Sequence, residues 1–285
     1  MSKVINYFFQ SLLIYLFFIV GKIFGLNLSR KIFSNLFSFL GPLFKSKKIT
    51  ENNLSIFSPE ISLSEKKKIS NHMWKNYGMT FIEYIFLNCF KKNNSHIIIN
   101  GKENLLGIIS EKKPVIFVSG HFANFELMSM EIVKQNIKLA TIYRPLNNFF
   151  LNPFMEYLRK KYVCKHQIKK GIQGVREAIE FIKKNHCLAL MIDQRVSEGE
   201  KINFFGKSAL TTTLPAQLSI KFGIDIIPVY IERSDDNKFK LEFQNRVSPK
   251  NFKDKIHLTK ELNKILEKMI IKNPNQWIWT HNRWK

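Results

Sequence analysis

One apolar run dominates the start of the chain. Eighteen uncharged and mostly apolar residues lie from Val4 to Gly21, and Lys3 and Lys22 stand at its two ends. A membrane-spanning helix needs about 20 such residues, so the run predicts a retained membrane anchor at the lower limit of length. No small-x-small cleavage site follows, which disfavours a cleaved signal peptide. A buried core helix stays an alternative because the length is marginal.

A second apolar pattern follows this run. Its apolar positions fall near i, i+4, i+7 spacing between basic flanks, and they are Ile32, Phe33, Leu36, Phe37, Leu40, Leu43 and Phe44. The pattern predicts an interfacial amphipathic helix that ends at Gly41-Pro42. Basic residues are denser after the anchor than before it, which favours a body on the cytoplasmic side. We therefore divide the chain into an anchor (1–28), an interfacial segment with a polar linker (29–60) and a folded body (61–285).

Helical and strand patterns alternate along the body. A long helix is predicted over 64–90. Strands are predicted over 96–100, 114–118, 139–143, 187–192, 226–231 and 238–243, and further helices over 122–135, 149–162, 171–184, 213–222 and 258–271. Such alternation indicates an α/β fold with a mostly parallel central sheet flanked by helices.

The composition adds a strong basic bias. Lys and Arg total 45 against 22 Asp and Glu, which gives a net charge of +23. This excess favours anionic partners such as nucleic acid, lipid headgroups or an acidic carrier protein, although a general Lys-rich bias explains part of it. Most phenylalanines lie in apolar runs, which argues against a single-strand nucleic-acid binder. The three cysteines lie far apart, so we expect free thiols and no metal site.

Polar residues collect at three predicted strand ends. These are Gly120-His121, Tyr143-Arg144 and Asp193-Gln194-Arg195. In open parallel sheets, ligands bind beyond the carboxyl ends of the strands, so we expect the three groups to face one site.

His121 and Glu126 form an H-x4-E motif directly after a buried strand. An imidazole can take the proton of an attacking hydroxyl, and a carboxylate on the other ring nitrogen can fix the tautomer. Positions five apart on a helix point about 140° apart, so the two meet only if His121 sits in the turn before the helix. Gly120 would permit the unusual backbone this needs. Taken alone the motif is weak, and a structural histidine is the alternative.

Several ordered motifs resemble a known family. H-x4-D/E after an apolar strand and a glycine is similar to the hallmark of glycerolipid and lipid A acyltransferases, but the Glu-Gly-Thr-Arg block of the glycerolipid branch is absent. The other motifs are Tyr143-Arg-Pro-Leu-Asn-Asn148, Arg159, Met191-Ile-Asp-Gln194, Phe204-Phe-Gly206, Thr211-Thr-Thr213 and the tail Gln276-Trp-Ile-Trp-Thr-His-Asn-Arg-Trp-Lys285. Together they resemble the late acyltransferases of lipid A biosynthesis, of lauroyl/myristoyl type.

The resemblance implies a reaction and its partners. The donor would be an acyl thioester on acyl carrier protein, and the acceptor a hydroxyl of an anionic Kdo-bearing lipid A precursor. The protein would lie at the bacterial inner membrane, with 61–285 as its catalytic domain and with neither a cofactor nor a nucleic-acid partner. Another membrane glycolipid or phospholipid acceptor is the alternative, and a non-enzymatic basic binding protein a more remote one.

The resemblance also implies roles for single residues. His121 matches the base and Glu126 the charge-relay acid. Four further residues match positions that bind the substrate or stabilise the oxyanion: Arg144, Arg159, Asp193 and Gln194. Five others match positions that line a cleft or contact the headgroup: Phe204, Phe205, Gly206, His281 and Arg283. Structural salt bridges are the alternative for the two arginines, a loop cap for Asp193, and core packing for the two phenylalanines.

Overall fold

The computed structural model describes residues 3–44, 47–111 and 113–285. The helices in these ranges are α1 (Lys3–Phe44), α2 (Lys47–Phe57), α3 (Leu63–Glu83), α4 (Leu87–Lys92), α5 (Glu103–Glu111), α6 (Glu126–Lys134), α7 (Asn152–Leu158), α8 (Ile172–Lys183), α9 (Leu214–Phe222) and α10 (Lys255–Lys272). The strands are β1 (Ile97–Asn100), β2 (Ile116–Ser119), β3 (Leu139–Tyr143), β4 (His166–Lys169), β5 (Cys187–Met191), β6 (Glu200–Phe204), β7 (Lys207–Thr211), β8 (Ile226–Arg233) and β9 (Phe239–Phe243).

A seven-stranded sheet forms the centre of the fold, in the order β1-β9-β8-β2-β5-β3-β4. Every neighbouring pair is parallel except β8 with β9. β2 is buried at all four positions, as expected for a strand covered by helices on both faces. The sheet is therefore mostly parallel and flanked by helices, which confirms the predicted fold class.

The N-terminal helix is bent back on itself at Gly25. This residue has φ 72° and ψ 172°, a backbone conformation that is essentially restricted to glycine. The rings of Phe17 and Phe33 lie 5.4 Å apart, and the Ser29 hydroxyl donates to the Gly21 carbonyl at 2.7 Å. A straight helix would hold residues 16 positions apart about 24 Å from each other. The two arms of α1 therefore fold against each other.

Two expectations about the N-terminal region are wrong. The second arm of α1 does not end at Gly41-Pro42 but continues to Phe44. The expected linker is largely helical, since α2 occupies Lys47–Phe57. The Asn53 amide donates to the carbonyls of Trp279 and His281, each at 2.8 Å, so this segment is packed against the body. Lys45 and Ser46, within the expected basic flank and linker, lie outside the described residues.

Most predicted elements of the body are present, with ends shifted by a few residues. The sequence patterns missed α5, β4 and the β6–β7 hairpin. The hairpin turns at Phe205 and Gly206, both of which have positive φ. Phe204-Phe205-Gly206, predicted as a cleft motif, is thus the end of a hairpin, and Phe204 is fully buried.

Candidate active site

The register of two neighbouring strands brings His121 and Asp193 together. β2 and β5 are parallel, and Ser119 lies opposite Met191. The amide of Ile192 donates to the Ser119 carbonyl at 2.9 Å, which continues the pairing by one residue. His121 and Asp193 each follow their strand by two residues, so they lie side by side at the carboxyl edge of the sheet.

Asp193 holds His121 through two hydrogen bonds. Nδ1 of His121 lies 2.8 Å from Oδ1 of Asp193, and the backbone N–H of His121 donates to Oδ2 at 2.8 Å. The indole Nε1 of Trp277 also donates to Oδ2, at 2.9 Å. The expected contact between Glu126 and the imidazole is therefore made by Asp193 instead, because strand register overrides closeness in sequence.

The charges at this pair favour one tautomer of His121. Burial alone would raise the pKa of Asp193, but the His121 charge and the hydrogen bonds outweigh burial and lower that pKa to about 2. An ionised carboxylate only accepts, so Nδ1 carries the proton and Nε2 carries the lone pair. Nε2 has no hydrogen-bond partner among the described residues, and the His121 side chain is 19% exposed. Nε2 is therefore free to take a proton from a substrate.

The pKa of His121 is shifted upward. Burial disfavours the imidazolium and by itself lowers the pKa, but the charge of Asp193, its hydrogen bond and the charge of Glu126 together raise it above the ordinary value. Glu126 therefore influences His121 through its charge, without a direct hydrogen bond.

Glu126 belongs to a second cluster, with Tyr84 and Arg159. Its Oε1 accepts from the Tyr84 hydroxyl and from Nε of Arg159, the latter at 2.7 Å, and Arg159 also donates to the Tyr84 oxygen at 2.9 Å. Burial lowers the pKa of Arg159, but the charges of Glu126 and Tyr84 outweigh it and raise that pKa. Arg159 lies at the start of a π-helical turn after α7, which is a geometry frequent at functional sites.

The loop after His121 is held by contacts from α3 and the C-terminal tail. Ala123 has φ 42°, unusual for a residue with a side chain. Its carbonyl accepts from the Thr80 hydroxyl at 2.9 Å, and its amide donates to the Gln276 carbonyl at 3.2 Å. Gly120 is expected to permit an unusual backbone conformation, but it is not among the glycines with positive φ. It is required because there is no room for a side chain: a Cβ at this position would lie 2.8 Å from the Phe122 ring.

Beneath this loop lies a buried charge cluster that no sequence pattern indicated. Glu83 is fully buried and accepts from Arg30 at 2.6 Å, from Arg233 and from Asn124 at 2.9 Å. Burial would raise the pKa of Glu83, but the charges of Arg233 and Arg30 outweigh it and lower that pKa. The cluster therefore joins α1, α3, β8 and the His121 loop around one carboxylate.

Arg144 and Gln194 lie near the site with open side chains. Arg144 follows β3 and is exposed, and its guanidinium makes no hydrogen bond or ion pair within the described ranges. Gln194 is half-buried next to Asp193, and its amide likewise has no partner there. Both remain available to a substrate.

The structure does not support the expected headgroup role of Arg283. This guanidinium is fully buried and donates to the Leu210 carbonyl at 2.6 Å and to the Thr211 hydroxyl at 2.7 Å. Burial lowers its pKa to about 10. Arg283 therefore fastens the tail to the β6–β7 hairpin.

The other tail residues also have structural partners. His281 accepts at Nε2 from the Arg195 amide, at 2.9 Å, and burial lowers its pKa. Phe204 stacks on Trp284 with ring centroids 5.5 Å apart. Trp277 and Trp279 are fully buried and belong to the core.

A histidine held by a buried carboxylate, with its second ring nitrogen open at the edge of a parallel sheet, has the chemistry that general-base catalysis requires. The sequence profile of the family described as bacterial lipid A biosynthesis acyltransferase matches residues 2–285. The chain belongs to this family, and it is an acyltransferase of lipid A biosynthesis.

Individual relatives are distant. The lipid A biosynthesis lauroyltransferase of Escherichia coli strain K12 is 23% identical over 244 residues, covering 84% of this chain and 78% of its own. The palmitoleoyltransferase of the same strain is 24% identical over 249 residues, covering 85% and 79%. Among solved structures, the 1-acyl-sn-glycerophosphate acyltransferase of Thermotoga maritima aligns at 17% identity and a TM-score of 0.43, over 87% of this chain and 99% of its own.

Proposed function

We propose that the protein transfers a fatty acyl chain from an acyl carrier protein thioester to a hydroxyl of a Kdo-lipid IVA type precursor, with His121 as the general base. The observation that carries the proposal is the open Nε2 of His121, whose Nδ1 lies 2.8 Å from the buried Asp193 carboxylate. Membership in the lipid A acyltransferase family supplies the acyl transfer and the class of acceptor.

The reaction then proceeds by direct attack. Nε2 of His121 takes the proton of the acceptor hydroxyl as its oxygen bonds to the thioester carbonyl carbon. The tetrahedral oxyanion collapses, the carbon–sulfur bond breaks, and the imidazolium returns its proton to the departing thiolate. Asp193 stabilises the imidazolium between these two proton transfers. No covalent acyl-enzyme is formed.

Glu126 has a different role in this proposal from that of a charge-relay acid. Its Oε1 holds Arg159 at 2.7 Å, so it fixes a cation beside the reacting groups and adds a second negative charge near His121. Arg144 and Gln194, with open side chains, are the candidates to bind the acceptor phosphate or the oxyanion.

The excess of basic residues fits the proposed partners. Acyl carrier protein, a phosphorylated glycolipid and the inner membrane surface are all anionic, and a net charge of +23 attracts each of them. We place the body on the cytoplasmic side of the bacterial inner membrane, where carrier-bound acyl chains are available, in line with the basic residues that follow the N-terminal run.

The test uses the purified full chain with a Kdo-lipid IVA type acceptor and two acyl donors, a thioester of acyl carrier protein and a thioester of coenzyme A. We expect transfer from the carrier-protein thioester, weaker transfer from the coenzyme A thioester, and loss of transfer in His121→Ala. His186→Ala is the matched control, since His186 lies at the amino end of β5, the opposite edge of the sheet. Full activity of His121→Ala would contradict the mechanism.

The acceptor is identified in cells. Mass spectrometry of lipid A from cells with and without the gene should differ by the mass of one acyl chain. Unchanged lipid A, together with a change in another glycolipid, would replace the proposed acceptor.

A further inference from the structure

We infer that α1 attaches the protein to a single leaflet of an anionic bilayer, lying along the body with its outer face in lipid, and that it does not cross the membrane. The inference deepens the proposed membrane attachment and rests on it. It predicts that both ends of the chain lie on the same side of the membrane.

One face of the first arm of α1 is fixed to the body. Its positions towards the body include Tyr7, Ser11, Ile14, Tyr15, Phe18 and Gly21, which are buried or half-buried and recur at helical spacing, whereas the half-buried Phe17 packs on Phe33 of the second arm. Positions spaced by three and four residues share one face of a helix, so this face is a continuous stripe.

Specific contacts tie the stripe to the body over its whole length. The Asn148 amide donates to the Tyr7 carbonyl at 2.8 Å, and the Tyr15 hydroxyl donates to the Phe150 carbonyl at 3.0 Å. Phe18 stacks on Phe81 with ring centroids 5.1 Å apart. From residue 7 to residue 18 the helix rises about 16 Å, at about 1.5 Å per residue. An arm held to a folded body over this distance does not have lipid all around it.

The opposite face of the same arm is apolar and exposed. Its exposed large side chains are Val4, Ile5, Phe8, Phe9, Leu12, Leu13, Leu16, Ile19, Ile23 and Phe24. An apolar surface this large is unusual on a protein surrounded by water. It continues onto the loop after β3, where Leu146 and Phe149 are exposed and the Phe149 ring lies 6.1 Å from that of Tyr7.

The charges around this surface identify a bilayer surface as its occupant. Exposed lysines lie at the start of the arm (Lys3), near the bend (Lys22, Lys31) and after the second arm (Lys47). Basic residues bordering an apolar helical face are typical of helices that lie in the interface of anionic membranes. The bend at Gly25 returns the second arm towards the body, so the two arms do not form one straight span of 42 residues.

This attachment places the site at the lipid surface. The segment that docks on α1, residues 148–150, follows Arg144 by only a few residues. The open Arg144 guanidinium therefore lies next to the loop that enters the leaflet, where a phosphorylated lipid acceptor presents its headgroup.

The first test is the sidedness of the two ends of the chain. Lys3→Cys and Lys285→Cys are each made in a Cys89→Ser background, which leaves the buried Cys164 and Cys187. A membrane-impermeant maleimide is applied to sealed vesicles of both orientations, and detergent gives the full signal. We expect both cysteines to react in the same orientation. Reaction in opposite orientations would establish a spanning helix and overturn the inference.

The second test compares two equally exposed isoleucines. Ile19 on the outer face of α1 is 60% exposed, and Ile271 on α10 is 59% exposed. We expect Ile19→Asp to lower the fraction bound to phosphatidylglycerol-containing vesicles at least tenfold, and Ile271→Asp to leave it unchanged. Unchanged vesicle binding of Ile19→Asp would contradict the inference. If Ile19→Asp instead converted a dimer to a monomer while vesicle binding stayed the same, a second copy of the chain would cover this face, and the inference would also be wrong.

The acyl-transfer assay is run separately on both variants in detergent micelles. Retained acyl transfer by Ile19→Asp, together with its loss of vesicle binding, supports the membrane attachment and leaves the catalytic proposal unaffected. Loss of transfer by His121→Ala is independent of both tests, so failure of the inference and failure of the proposed function are distinguishable.

Discussion

At the scale of single residues, Asp193 decides which nitrogen of His121 accepts a proton. Its carboxylate lies 2.8 Å from Nδ1 and also accepts from the backbone N–H of His121. The ring is thereby fixed in position as well as in tautomer. Glu126 contributes charge and holds Arg159 at 2.7 Å, which makes it a positioning residue in the proposed mechanism.

Replacement of Asp193 should therefore affect rate and pH dependence together. Asp193→Asn removes the charge that raises the His121 pKa and leaves burial, which lowers it. The neutral imidazole is the active form, so the rising limb of kcat against pH should move to lower pH. The new amide should also favour the tautomer of His121 with the proton on Nε2, and kcat should fall about 10³–10⁴-fold. Steady-state kinetics across pH 5–9, which spans the ordinary His value of about 6.5, measure both effects.

Glu126→Gln is the comparison for this prediction. The charge of Glu126 is a smaller cause of the raised His121 pKa than that of Asp193, so its removal should move the limb in the same direction but less. If Glu126→Gln moved the limb further than Asp193→Asn, Glu126 would be the acid paired with His121.

The sequence indicated His121 but assigned it the wrong partner. The H-x4-E spacing favours Glu126, which is five residues away, whereas Asp193 is 72 residues away along the chain. The strand-end position of Asp193 was visible, and it predicted a shared site. The adjacency of β2 and β5 was not visible, because sheet order depends on how the whole chain packs. Tyr84 carried no distinguishing signal, since it fits an ordinary helical stripe.

At the scale of elements, the Glu83 cluster joins parts that are far apart in sequence. It connects Arg30 on α1 with Arg233 at the end of β8, and Asn124 of the active-site loop donates to the same carboxylate. The bent N-terminal helix is therefore linked to the loop that positions His121. Helical periodicity predicted α3 but placed no ionised group in its buried face.

Removal of this carboxylate charge should be costly. Glu83→Gln leaves two buried guanidinium groups without a counter-charge, and breaking a buried ion pair from one side costs about 3–5 kcal/mol of unfolding free energy. Denaturant unfolding in detergent micelles measures the loss. Glu200→Gln is the control, because Glu200 pairs with Lys255 at 3.2 Å with both side chains more than 40% exposed. Such a pair contributes less than about 1 kcal/mol. Equal losses in the two variants would contradict the prediction.

Regular strands and helices were predicted better than the segments between them. β3 matches its predicted range of 139–143, because its β-branched and aromatic residues (Thr141, Ile142 and Tyr143) favour a strand in a segment too short for a helix. β4 (His166–Lys169) and the β6–β7 hairpin are short and mostly polar, so no hydrophobic period marked them. The polar composition of α2 predicts a linker, because even its buried residues, Asn53 among them, are partly polar.

At the scale of the whole molecule, charge and apolar surface should act separately in membrane binding. The net charge of +23 attracts anionic lipid over a distance set by salt, about 10 Å at 0.1 M and about 3 Å at 1 M. Insertion of the outer face of α1 does not depend on salt in this way.

Vesicle sedimentation of the full chain tests this separation. Binding to phosphatidylglycerol-containing vesicles should weaken as salt rises from 0.1 to 1 M, because each surface Lys or Arg contributes about 1 kcal/mol that screening removes. Binding to purely zwitterionic vesicles should be weaker at low salt and nearly constant. An equal dependence on salt for both lipids would show that charge does not contribute.

The placement of His121 opposite Asp193 also bears on how sequences of this fold can diverge. The pair depends on the β2–β5 register and on two residues beyond each strand, so the separation of 72 residues along the chain need not be constant. Insertions in the loops around α6, β3, α7 and α8 leave the pair intact. A single-residue insertion within β2 or β5 separates it and reverses the faces of the strand. Alignments of distant relatives should therefore be anchored on the two strand ends, with the interval between them left free.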